Sequence, residues 1–102
     1  MKVGLEKMDA QAWAEAVTQF DQVLEKNPNQ ATALNAKGVA LFQQGKIKEA
    51  IPLFDQAIQV DSTSYKPWFN RGNANMELTN YKAALADFNL ATALDPSQLD
   101  IL

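Results

Sequence analysis

Few side chains in this sequence are equipped for covalent or acid–base chemistry. Its 102 residues include no cysteine and no histidine. That removes the usual nucleophiles and general bases, the usual zinc ligands and any disulfide. Carboxylates remain, and the pairs Glu6/Asp9 and Glu49/Asp55 are the candidates for holding a hard cation or sharing a proton. Neither has calcium-loop spacing, and both read as charges coating solvated helix faces. Ser62, Ser64 and Ser97 fall near segment boundaries, where caps and turns account for them. Gly38 followed by Gly45-Lys46 hints at a phosphate loop. The glycine interval is wrong, however, Ile47 follows the lysine, and no strand precedes the run. The expectation is a chain that is not an enzyme and takes no cofactor and no metal.

Charge and hydropathy exclude two further classes. A net charge of −3 without a basic stripe argues against nucleic acid, whose affinity comes largely from phosphate neutralisation. No apolar run is long enough for a membrane span. Lys2, Glu6, Lys7 and Asp9 are mixed at the start, unlike a signal peptide. A cytoplasmic protein with no membrane insertion is expected.

The elements that must position a site are set by an internal repeat. Gly4, Gly38 and Gly72 lie 34 residues apart, as do Ala16, Ala50 and Ala84, and Phe20, Phe54 and Phe88. Three residue types keeping one phase three times divide the chain into stacked units, which present an extended surface rather than a closed pocket. A hydrophobic fraction of 47% is ample for a core. Within each unit the pattern predicts two helices, A and B. The A helices fall near 2–10, 31–44 and 65–78, the B helices near 14–26, 48–59 and 82–94. Asn27-Pro28-Asn29 and Asp95-Pro96 end B helices. Gly45 suits a C-terminal cap of positive φ. Ser64 is a candidate N-cap, and Pro67 is tolerable within the first turn. Pro52 lies about one turn into its helix and predicts a late start or a slight bend. The glycines and alanines predict close approach of A to B, with phenylalanine filling the space between. Expected core positions are Val17, Phe20, Leu24, Leu34, Leu41, Ile51, Phe54, Trp68, Leu85 and Phe88.

The copies Trp68-x-x-Arg71-Gly72 with Ala84-x-x-x-Phe88 and Asp95-Pro96, then Leu34-x-x-Lys37-Gly38-x-x-Leu41 with Ala50-x-x-x-Phe54 and Asp61-Ser62, then Gly4 with Ala16-x-x-x-Phe20 and Asn27-Pro28 together resemble the tetratricopeptide repeat. Arg71 and Lys37 stand where the pattern usually has leucine, Asn75 where it has an aromatic, and Ser62 where it has proline. The resemblance implies an all-α fold, a right-handed superhelical array of helix-turn-helix units. It forms a single domain, 1–102, with repeats at about 1–30, 31–64 and 65–98, and 99–102 starting a further helix or a tail.

The resemblance also implies a function. In that family the A helices line a concave groove that takes a peptide or helix of a partner protein. The matching side chains are Met1, Leu5, Met8 and Asp9 in the first A helix. They continue with Asn35, Val39, Phe42 and Gln43, and end with Lys66, Phe69, Asn70, Asn73, Met76 and Glu77. The floor is apolar and interrupted by three asparagines, each able to donate to and accept from a peptide backbone. The methionines favour adaptable apolar contacts. An amphipathic helix or an extended apolar peptide is the expected partner. Phe42 and Phe69 also fit a scaffold role, as stripes at helical spacing commonly do. Chaperone-binding members grip a terminal carboxylate with lysines, asparagines and an arginine. The matching slots hold Met1, Leu5, Ala36, Lys66 and Asn70, of which only Lys66 agrees.

A second reading makes the chain a self-association or spacer segment of a longer repeat protein. By the repeat phase the sequence opens about four residues into its first A helix, and Leu99–Leu102 falls where a fourth would start. An apolar surface around Leu85, Phe88 and Leu90 is then expected to stay uncovered, giving a homo-oligomer through the terminal repeats. An RNA-binding helical repeat is disfavoured by the acidic charge and by an interval of 34.

Overall fold

Gly45 and Thr79, one repeat apart, both hold left-handed backbone, with φ of 82° and 63°. Each reverses the chain after an A helix. At the first, the Lys46 amide donates to the Leu41 carbonyl at 2.9 Å and the Gly45 amide to that of Phe42 at 2.9 Å. At the second, Asn80 donates to Asn75 at 2.8 Å and Thr79 to Met76 at 3.0 Å. Both are the paired closing bonds that satisfy the last carbonyls of a helix. Glycine takes this conformation freely, whereas the β-branched threonine takes it at a cost.

The structure is a computed structural model describing the backbone of residues 2–95 and the side chains of residues 11–95. Expectations resting on Gly4, Met1, Leu5, Met8 and Asp9 as side chains, and on the tail 99–102, lie outside the described residues. Five helices follow one another: α1 Lys2–Lys26, α2 Ala31–Gln43, α3 Ile47–Val60, α4 Tyr65–Glu77 and α5 Tyr81–Leu94. No strand occurs among the described residues. Sequential helices pack on one another at α1·α2, α2·α3, α3·α4 and α4·α5, and α2 also touches α4. The result is an all-α repeat array in which α2/α3 and α4/α5 are two hairpins.

The first unit departs from the expected pair of helices. Residues 2–26 form one helix of 25 residues. Gln11 stands in the slot of Gly45 and Thr79, and Gln11-Ala12-Trp13-Ala14 contains neither glycine nor proline. Nothing there favours leaving helical backbone. Gly4 and Phe20 therefore sit on the same helix, about 24 Å apart along its axis, and do not form the glycine–phenylalanine contact of the other units.

The other boundaries fall within a residue or two of expectation. The Ser64 hydroxyl caps α4 by accepting from the Lys66 amide at 3.4 Å, and Pro67 lies in the first turn. Pro52 does not delay α3, which begins at Ile47 with the proline exposed.

The core lies between the hairpins. Phe54 is fully buried with Leu41, Ala50 and Ala74 around it, and Val17, Val39, Ile47 and Ile51 pack onto this cluster. Phe54 lies against Gly38, and Phe88 against Gly72; a Cβ at either glycine would stand 2.5 Å and 2.6 Å from the ring. Leu34 is buried as expected. Val17, Phe20, Leu24, Ile51, Trp68 and Phe88 are half-buried. Leu85 is not a core residue, being 61% exposed. It has the phase of Ile51, but Ile51 is flanked by α4, and α5 has no such neighbour among the described residues.

Candidate functional site

The groove is built from α2 and α4, which run side by side because each packs on α3. Val39, Phe42 and Gln43 from α2, Asn70 and Asn73 from α4, and Phe54 from α3 line a small pocket. Four of the eight expected groove residues thus meet in one place. The pocket contains no charged side chain. The Asn73 amide, half-buried beside it, has no partner among the described residues. It keeps a donor pair and an acceptor available to an incoming chain. Asn70 is committed differently: its Nδ2 donates to Oδ1 of Asn35 at 2.9 Å, joining α2 to α4 across the groove.

Asn35 and Lys66 belong to a second cleft nearer the helix N-termini, with Ala36, Asp61 and Ser64. The Asp61 carboxyl lies below the usual carboxylate range because the Thr63 hydroxyl, and then the Thr63 amide, donate to it. Lys66 is exposed. Of the carboxylate-gripping slots that are described, Ala36 and Asn70 carry no charge, so a terminal carboxylate would meet one lysine here.

Two expected residues lie elsewhere. The Phe69 ring tilts against Phe88, with centroids 5.7 Å apart, so it holds α4 to α5 rather than opening into the pocket. Met76 is exposed and lines none of the described clefts.

A dense polar cluster among the described residues joins α3, α4 and α5. The Arg71 guanidinium donates twice to Asp87, at 2.7 and 3.0 Å, and once to Asp55 at 2.7 Å. Asn75 Nδ2 donates to the same Asp87 at 3.0 Å. The Trp68 ring lies 5.0 Å below the guanidinium carbon, close enough for cation–π attraction. Its Nε1 donates to the Ser62 carbonyl at 3.2 Å. Asp87 foremost keeps Arg71 charged well beyond its ordinary range. Asp87 is 3% exposed, so it is not part of the outer B-helix surface that coating charges occupy. One repeat earlier the places of Asn75 and Asp87 are taken by Leu41 and Leu53, both in the apolar cluster. The paired replacement of two leucines by an amide and a carboxylate was the legible signal. This cluster ties α3, α4 and α5 together, and none of its members lines the pocket or the second cleft.

Two ion pairs mark the joints between units. Lys37 on α2 pairs with Asp21 on α1, and Arg71 on α4 pairs with Asp55 on α3. The two pairs are one repeat apart in both members. Among the described residues no cluster of acidic side chains has metal-binding geometry, and no helix is long and apolar enough to cross a membrane.

Comparison with known proteins agrees with this geometry. A tetratricopeptide repeat family model matches residues 4–67, and a second tetratricopeptide repeat model matches residues 65–98. The chain is similar to Protein SGT1 homolog of Oryza sativa subsp. japonica, with 36% identity over 67 residues, 66% of this chain and 18% of that protein. It is similar to the DnaJ homolog subfamily C member 7 homolog of Schizosaccharomyces pombe at 31% identity, covering 84% of this chain and 21% of that one. It thus spans about a fifth of the length of these curated relatives. Among solved structures, the Arabidopsis OM64 TPR domain superposes with a TM-score of 0.81 at 27% identity, covering 91% of this chain and 82% of that one. MamA superposes with a TM-score of 0.79 at 25% identity, covering 94% and 56%.

Proposed function

The chain belongs to the tetratricopeptide repeat family, whose fold is a protein-interaction fold, and we propose that its α2/α4 groove binds a peptide or helix of a partner protein. The observation that carries this reading is the uncharged pocket of Val39, Phe42, Gln43, Phe54, Asn70 and Asn73, with the Asn73 amide unpartnered beside it. An apolar side chain of the partner fills the pocket, and Asn73 bonds the neighbouring peptide group. Apolar anchors with a few placed polar groups are the usual composition of such sites.

The partner's chemistry follows from charge. With one exposed lysine near the groove and none in the pocket, a free terminal carboxylate gains little. An internal apolar segment fits better. Relatives whose names include chaperones, such as the Hsp70-Hsp90 organizing protein of Triticum aestivum at 20% identity, therefore do not by themselves assign a chaperone terminus as the ligand. Peptide display against the wild-type chain, followed by titration of the enriched peptide, tests the reading. Phe42→Ala and Asn73→Ala are each expected to weaken binding by about tenfold, and amidating the peptide terminus is expected to change little. Binding insensitive to both substitutions would remove the groove from consideration.

A further inference from the structure

A hydrogen bond between two asparagines stands where the pocket adjoins the second cleft. Asn70 lines the first and Asn35 the second, and Asn70 Nδ2 donates to Asn35 Oδ1 at 2.9 Å. Both side chains are half-buried. The repeat does not call for this pair. The joints between units have their own ion pairs, Asp21 with Lys37 and Asp55 with Arg71, which recur one repeat apart. The amide pair does not recur: Ala36 stands one repeat before Asn70 and Phe69 one repeat after Asn35, and neither side chain can hydrogen-bond in this way. Helices α2 and α4 are already held by α3, on which both pack.

The bond leaves the pair half-used. An asparagine amide has two N–H donors and a carbonyl acceptor. Asn35 Nδ2 and Asn70 Oδ1 make no hydrogen bond among the described residues. The shared bond therefore sets which edges remain, a donor on the α2 side and an acceptor on the α4 side. Both side chains have already given up rotamer freedom, so less is lost when a ligand bonds to them. One chemistry matches this offer. Extended main chain shows an unbonded N–H and C=O, which need an acceptor and a donor. A helix shows neither along its length, because its interior groups bond one another. Laid over the pair, it would bury a donor and an acceptor without partners.

We propose that the Asn35–Asn70 pair is the specificity-determining element of the groove, bonding the main chain of an extended segment of the partner and rejecting a helix. The inference rests on groove binding as proposed above and narrows it. An N–H of the segment donates to Asn70 Oδ1, and a C=O accepts from Asn35 Nδ2. An apolar side chain beside them fills the pocket. Asn73 and Lys66 lie seven residues apart on α4, about 10 Å along its axis, a span of about three extended residues. The same segment thus reaches the second cleft, where a polar side chain meets Lys66 and the Ser64 hydroxyl. The residue lying over the pair is read by its main chain, so its side chain is free to vary but it cannot be proline.

Short linear peptides selected by display against this chain are the probe. Titration calorimetry then follows a series methylated at one main-chain nitrogen at a time. Methylation over the pair is expected to weaken binding by about tenfold. In a chain carrying Asn35→Leu with Asn70→Leu, the same methylation is expected to cost less than about twofold, since the acceptor it deprives is gone. Removing both partners leaves no orphaned group, and circular dichroism is expected to show the helices unchanged. A second arm needs no variant: placing α-aminoisobutyric acid at alternate peptide residues enforces helix and is expected to abolish binding to wild type. An equal methylation cost in both chains, or a helix-enforced peptide that binds as tightly as the linear one, would overturn the proposal. Phe42→Ala tells the two readings apart. If it weakens the peptide while either of those results holds, the amide-pair inference alone is lost. If the peptide is indifferent to it, groove binding is lost and this inference with it.

Discussion

Substituting Gly38 by alanine sets two effects of known size against each other. Alanine favours a helix interior over glycine by about 1 kcal/mol, and Gly38 lies within α2. Against this, the added Cβ would stand 2.5 Å from Phe54 Cε1, 2.9 Å from Cδ1 and 3.0 Å from Cζ. Ordinary carbon contacts are about 3.5–4.0 Å, so the ring or the helix must move by about an ångström. The ring has nowhere to go, since Phe54 is 0% exposed and enclosed by Leu41, Ala50 and Ala74. Overpacking of this kind costs about 1–3 kcal/mol, and rigid surroundings place it in the upper part of that range. The net expectation is a loss of about 1–2 kcal/mol, or roughly 5–15 °C in melting temperature for a domain of this size. Urea unfolding followed by helical circular dichroism measures it. In a Phe54→Leu background the same substitution should become neutral or stabilising, because the clashing ring atoms are gone. Two results refute the reasoning: a Gly38→Ala chain as stable as wild type, or an unchanged penalty beside Leu at 54.

Phe54→Ala should cost about 3–5 kcal/mol in the same assay, as truncation of a fully buried aromatic; a loss under about 1 kcal/mol would contradict the burial of the ring. Thr79→Gly should stabilise by about 0.5–1 kcal/mol, because relief of left-handed strain exceeds the entropy added to the unfolded chain; a less stable variant would mean that the Thr79 hydroxyl contact to the Leu78 carbonyl outweighs the strain. Asp87→Ala should cost about 2–4 kcal/mol, below the full penalty for a broken buried pair because Arg71 retains Asp55 and some solvent. Adding Asn75→Leu to Asp87→Leu should recover much of that loss, since Leu41 and Leu53 fill these places in the preceding unit; failure to recover would show that the two units differ in shape as well as polarity.

The interval of 34 residues carried most of the fold, because glycine, alanine and phenylalanine recur only where two helices must approach closely. Ends of helices were legible where a residue forces a backbone state, as at Gly45, or caps, as at Ser64. Thr79 shows the limit: a residue of the wrong type occupies the left-handed slot because the surrounding hairpin dictates it. Near Gln11 no residue forces a break, and the expected turn gives way to continuous helix. Leu85 is exposed although its phase predicts a core position, because periodicity identifies a helix face, whereas burial depends on whether another helix lies on it. Val39, Phe42, Asn70 and Asn73, which the family resemblance assigns to a groove, line one pocket between α2 and α4. Phe69 was drawn away by Phe88, a contact that depends on how α5 crosses α4. The Arg71–Asp87–Asn75 cluster needed the two hairpins compared position by position.

Binding of a partner between α2 and α4 can be observed residue by residue. An amide-resolved NMR titration with a peptide enriched by display tests it most directly. The largest shifts are expected at Val39, Phe42, Asn70 and Asn73, with Gln56, Val60 and Leu94 on the convex side unmoved. Shifts concentrated on the convex faces of α3 and α5, with the groove amides silent, would contradict it.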